Sequence, residues 1–215
     1  MLDIADLTYR QVTNRCYLAK KPRRNQRRSP VHRAVSRYAR KASSMDTIEL
    51  KQWCEGDIGE PTDEHQPFVI DYYLDEDAKT DAAYQVTMTT KYLMGNLGKG
   101  SCLQVDATYK LLKHPDKGMA LLLGTSDVKK HFHPIFISNS SNEDEDAYSR
   151  LFQSVKNSNP NYEPKAIMGD GSKSITKAAK KKFPTARRLM CYFHVTKHVK
   201  EFFHGTFYQS ESVAI

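Results

Sequence analysis

The sequence predicts an α/β protein, one sheet flanked by helices, and three observations carry that expectation. After residue 100, short apolar runs of strand length alternate with amphipathic segments of helix length. Their order, βββ-α-β-α-β, is that of a layered α/β sandwich. The composition supplies a core for it, with 39% hydrophobic residues, 12 Tyr and 9 Phe in 215 residues, and a mean hydropathy of −0.66 that is polar but not disordered.

Taken in order, Val31, Val35, Tyr38 and Ala42 recur at helical spacing and predict a helix from Val31 to Trp53, with Arg33, Arg37 and Arg40 on its other face. Residues 54–67 are rich in Gly, Pro and acids and read as a linker. Phe68–Tyr73 and Ala83–Met88 read as strands, and Thr89–Leu97 as a short helix stopped by Gly98 and Gly100. Cys102–Leu112, Met119–Gly124 and Phe132–Ser138 are expected to form an antiparallel meander. Asn142 is placed to cap a helix with four acids in its first turn and the stripe Ala147, Leu151, Phe152, Val155. Lys165–Gly169 predicts a strand, Ile175, Ala178 and Ala179 a helix ending before Pro184, and Arg188–Phe193 a last strand.

Several classes are excluded. No apolar run approaches the roughly 18 residues of a membrane span, and no apolar stretch follows a basic cap at the start, so neither a membrane nor a secreted protein is expected. Four scattered cysteines, at 16, 54, 102 and 191, give no disulfide framework and point to a reducing compartment.

The net charge of +8 is unevenly spread. Residues 1–44 carry +10, residues 45–100 carry −8 and residues 101–215 carry +6. Such asymmetry points to a nucleic-acid partner. Lys20, Lys21, Arg23, Arg24, Arg27 and Arg28 form an extended basic arm, continued by Arg33 and Arg37. The arm suits DNA phosphates or a nuclear-import signal; a solubilising tail fits its composition equally.

Two carboxylates stand out. Asp106 sits within the apolar strand Leu103–Ala107, where burial is costly unless the charge is paired or bound to a cation. Asp170 ends the apolar run Ala166–Gly169 at a strand-to-helix turn. In a βββ-α-β sheet the first and fourth strands are neighbours, so the two acids are expected to converge and, as hard oxygen ligands, to hold Mg²⁺ or Mn²⁺. The alternative for each is an acid that merely caps a turn.

The runs Leu103-Gln-Val-Asp-Ala-Thr-Tyr-Lys110 and Pro164-Lys-Ala-Ile-Met-Gly-Asp-Gly171, with Phe183-Pro184 and Met190-Cys-Tyr-Phe-His-Val-Thr-Lys-His198, together resemble the MULE (Mutator-like element) transposase domain over about residues 68–204. The resemblance implies a ribonuclease H-like fold with a DDE-type acidic triad that cuts DNA and joins it to a target. It makes Asp106 and Asp170 the first two acids and metal ligands. Cys191 and His194 match the family's Cys-x-x-His. The implied third acid, a Glu far downstream, has no counterpart: Glu201 and Glu211 do not match its place, and a chain truncated at its C-terminus is the expectation.

The resulting layout is a basic arm and helix at 1–53, an acidic linker at 54–67, the transposase domain at 68–204 and a tail at 205–215. A nuclear, DNA-binding protein able to form homo-oligomers is expected, with a domesticated, non-catalytic DNA-binding or protein-interaction domain as the alternative. Cys191, His194 and His198 share a helix face and suggest Zn²⁺, with His204, Cys102 or His133 as fourth ligand; half-buried, hydrogen-bonded side chains are the competing expectation. Cys16, His32, Cys54 and His65 are too widely spaced for a usual zinc knuckle.

Overall fold

A computed structural model describes residues 47–75, 83–108, 118–129 and 131–211, with side chains described to Phe203. The basic arm, with Lys20 through Arg37, and the predicted helix before residue 47 lie outside the described residues, as do Cys16 and His32.

Seven strands form one mixed sheet in the order β1-β2-β5-β4-β3-β6-β7. They are β1 (Phe68–Leu74), β2 (Tyr84–Thr89), β3 (Cys102–Thr108), β4 (Met119–Ser126), β5 (Phe132–Ser140), β6 (Ala166–Gly169) and β7 (Arg187–Met190). Strands β3, β4 and β5 make the expected antiparallel meander, β2 joins β5, and β1 closes that side. Two helical crossovers set β6 parallel to β3 and β7 parallel to β6.

The helices are α1 (Thr47–Asp57), the single turn α2 (Lys91–Met94), α3 (Glu145–Ser158), α4 (Lys173–Lys182) and α5 (Tyr192–Glu211). Helices α3 and α4 cover one face. Leu103 and Val105 of β3, Leu121 and Leu123 of β4 and Ile167 of β6 meet Leu151, Phe152 and Val155 of α3 and Ile175 and Ala178 of α4 there. On the other face, Leu50 and Cys54 of α1 pack on Val69, Val86, Met88 and Ile137. The run Met119–Leu123 of β4 is apolar because both faces are covered at the sheet's centre.

Four boundaries differ from expectation. Helix α1 runs on to Asp57, through the stretch expected to begin the linker, because Leu50 and Cys54 at i and i+4 give it a face to bury. The helix expected at 89–97 is α2, capped by Thr90, followed by a 3-10 turn at Leu97–Lys99. Helix α3 is capped by Asp144 rather than Asn142: the Asp144 carboxylate accepts from the Ala147 N–H at 2.8 Å. Strand β7 ends at Met190, not Phe193. The Cys191 N–H donates the last bond, to Gly169 O at 2.7 Å, and α5 begins with the next residue.

Candidate functional site at the carboxyl edge of the sheet

Because β3, β5, β6 and β7 all run the same way, their carboxyl ends share one edge, where open α/β sheets present functional groups. Asp106 lies near the end of β3 and Asp170 just past the end of β6. The β3–β6 register pairs Leu103 with Ile167 and Gln104 with Met168. Two residues further on, the same register sets Asp106 opposite Asp170, with strands about 5 Å apart. Partners in register share a face. Gln104 and Asp106 alternate with the buried Leu103 and Val105, so Asp106 stands on the face away from α3 and α4.

Gly169 makes this approach possible. A Cβ there would lie 3.0 Å from Ile175 Cδ1 and 3.2 Å from Val105 Cγ1, so any side chain would push β6 away from β3 just below the acids. Asp170 is further fixed by its turn, its Oδ1 accepting from the Ser172 N–H at 2.9 Å, and the Ser172 side chain then caps α4.

The Cys-x-x-His pair buttresses both acids. Cys191 binds the carbonyl next to Asp170, and His194 Nε2 lies 3.7 Å from Asp106 Oδ1. The Asp106 side chain is 37% exposed and that of His194 17%. His194 Nδ1 is buried without a hydrogen-bond partner among the described residues.

Two neighbours carry little that a reading of the sequence could use. Arg188, on β7, donates to the carbonyls of Ile167, Leu189 and Asp170. Burial lowers its pKa, and the Asp170 charge opposes that shift. Tyr148, fully buried on α3, donates to Glu143 Oε1 at 2.8 Å. Burial first, then the bond to Glu143 and the charges of Glu143, Asp170 and Asp106, hold its phenol well above the ordinary value. One of two adjacent Arg in an edge strand and a Tyr amid an apolar helix stripe were the traces available.

Among the described residues, no group of three or more His, Cys, Asp or Glu side chains is placed to hold a metal ion. Cys191 and His194 sit at the carboxyl edge, whereas Cys102 and His133 begin β3 and β5 at the opposite edge. Cys54 is fully buried, its thiol pushed up to about 12 by burial, and serves the core. Glu201 is exposed and pairs with Lys197 and His198 on its own helix. No described helix is long and apolar enough to cross a membrane.

A strand-borne pair of aspartates at the carboxyl edge of a mixed sheet, buttressed by a Cys-x-x-His, defines the class to which the comparisons also point. Residues 102–198, from β3 into the second turn of α5, match the family model of the MULE transposase domain. No curated protein and no solved structure matches the chain.

Proposed function

We propose that the chain is a MULE-type transposase core that binds DNA and cleaves phosphodiesters with a divalent cation held by Asp106 and Asp170. The observation that supports this reading is the parallel β3–β6 pairing, whose register, carried two residues past Gln104 and Met168, would bring Asp106 and Asp170 side by side at the carboxyl edge. The sheet supports the ribonuclease H-like expectation: an antiparallel meander β3-β4-β5 followed by two crossovers that bring β6 and β7 parallel to β3. Residues 102–198 matching the transposase model supports DNA as the substrate.

Two adjacent carboxylates suit Mg²⁺ or Mn²⁺, which bind one or two protein carboxylates and complete their shell with water and phosphate oxygens. When bound, such an ion supplies Lewis-acid polarisation of a phosphate oxygen and an acidified water. The protein's own part is to fix the acids. Gly169 lets the strands meet, Ser172 orients Asp170, and His194 holds Asp106 from the opposite helix. In this reading the arm at residues 20–37 adds phosphate contacts or nuclear import, and the protein acts in the nucleus.

A non-catalytic DNA-binding role is the second reading, favoured by the absence of a third metal-ligating side chain beside the pair among the described residues. A nicking assay separates the two. The full chain with supercoiled DNA and Mn²⁺ is expected to produce nicked circles, and Asp106→Asn and Asp170→Asn each to abolish them. Binding without nicking, or nicking that survives both substitutions, would remove the catalytic assignment.

A further inference from the structure

Charge is segregated across the sheet. Residues 47–75, which form α1 and β1, hold eight acids and the single cation Lys51. Residues 164–200, which form β6, α4, β7 and the start of α5, hold ten cations and the single acid Asp170. These two segments lie at opposite ends of the strand order, so the molecule has an acidic flank at β1 and a basic flank at β7.

The basic flank is built as a surface. Helix α4 buries Ile175, Ala178 and Ala179 and exposes Lys173, Lys177, Lys180 and Lys181 on the opposite side. Lys173, Lys177 and Lys180 recur about once per turn, making a file roughly 10 Å long that starts three residues after Asp170. Lys177 pairs with Glu145 at 3.5 Å, but Lys173, Lys180, Lys181, Arg187 and Lys200 form no ion pair among the described residues. Besides Asp170, the carboxylates within reach of this flank are Glu145, paired with Lys177, and Glu201, paired with Lys197.

We infer that the phosphate backbone of duplex DNA lies along the α4–β7 flank, with the Lys173–Lys181 file leading it to the carboxyl edge at Asp170. The inference rests on the proposed function for the identity of the polyanion, and on the charge distribution for the place. The acidic flank repels the same backbone and so gives the duplex one direction of approach. Counterion release is the driving force, so the contacts are independent of base sequence and fall steeply with salt.

The test measures binding of a labelled 30-base-pair duplex to the full chain across a salt series, in EDTA, so that metal chemistry plays no part. Lys173→Gln/Lys180→Gln/Lys181→Gln is compared with Lys91→Gln/Lys99→Gln/Lys129→Gln, which removes equal charge elsewhere. The α4 variant is expected to bind roughly tenfold more weakly near 0.1 M salt and to lower the log–log salt slope by about 2–3, at about 0.9 per phosphate contact. The control is expected to move the slope by less than about 1. Lys173→Arg/Lys180→Arg/Lys181→Arg keeps the charge and is expected to keep wild-type binding, which separates a charge effect from a folding defect. Equal effects of the two Gln variants, an unchanged slope, or tighter binding of the same sequence as duplex RNA would overturn the inference. A chain that binds through α4 without nicking DNA would refute only the catalytic reading; one that nicks with an unmoved slope would refute only this one.

Discussion

Helices α3 and α5 both leave the carboxyl edge of the sheet, yet they are held by different physics. Helix α3 has a side-chain cap, acids in its first turn and seven buried residues, among them Tyr148, Leu151, Phe152 and Val155. Helix α5 exposes Val199, Phe202 and Phe203, the last two at 70% and 54%, and is anchored at its root by the Cys191 backbone bond and the 3.7 Å approach of His194 to Asp106. One helix is fixed by the core and the other by the site. Substitutions on α3 therefore report on folding, and those on α5 report on the site.

Phenylalanine truncation breaks the comparison most directly. Phe152 is fully buried and meets Phe183 edge-on at a centroid distance of 5.9 Å, so Phe152→Ala is expected to cost about 3–5 kcal/mol. Phe202→Ala is expected to stay within about 0.5 kcal/mol. Urea melts of both variants check this, and comparable losses would mean that α5 is packed as α3 is.

Gly169 lies at the root of the lightly held side. Gly169→Val forces a side chain against Ile175 and Val105, and about 1–3 kcal/mol of destabilisation is expected by the same melts. A neutral result would show that β6 can move away from β3 without cost, which would remove the strand contact on which the acid pair depends.

The cap of α3 is a smaller lever. Asp144→Ala removes the acceptor for the Ala147 N–H and is expected to cost about 1 kcal/mol, with faster amide exchange confined to the first turn. Exchange spreading along the whole helix would show that α3 is held by its cap rather than by the core.

The smallest effect lies outside both helices, in the β4–β5 turn, and is read through pH. The His133 ring first, then the His131 backbone N–H, hold the Asp127 carboxyl well below the ordinary carboxylate range. A depressed carboxylate stabilises the folded state above its unfolded pKa, near 3.9, and that stability is lost as pH falls toward the folded value. Acid melts below about pH 4 should therefore be less steep in pH for Asp127→Asn than for the wild type. Parallel curves would contradict the assignment.

Much of the packed half was legible in the sequence, and less of the site. The stripe Ala147, Leu151, Phe152, Val155 and the apolar run of β4 are periodic signals that burial enforces, and both elements fall where those patterns put them. The run from Leu189 to Phe193 misled because apolar residues read as a strand whether or not anything covers them. In the structure Leu189 and Met190 are exposed on the edge strand and the chain turns helical at Tyr192. Asp106 and Asp170 stood out because a carboxylate inside an apolar strand calls for a partner. The contact of His194 with Asp106, the reach of Arg188 to the Asp170 carbonyl and the approach of Tyr148 to both acids join residues far apart in the chain, and no local pattern encodes them.

The central claim is that Asp106 and Asp170 form one cation site, and thermal melts of the full chain with and without Mn²⁺ test it most directly. An ion bound only by the folded state adds about 2.7 kcal/mol at one hundred times its dissociation constant, which for a chain of this size raises the Tm by about 5–10 °C. The account predicts that rise for the wild type and its loss in both Asp106→Asn and Asp170→Asn, with Glu201→Gln, which alters an exposed acid on α5, behaving as the wild type does. A rise that persists in both aspartate variants, or no rise in the wild type at saturating Mn²⁺, would contradict it.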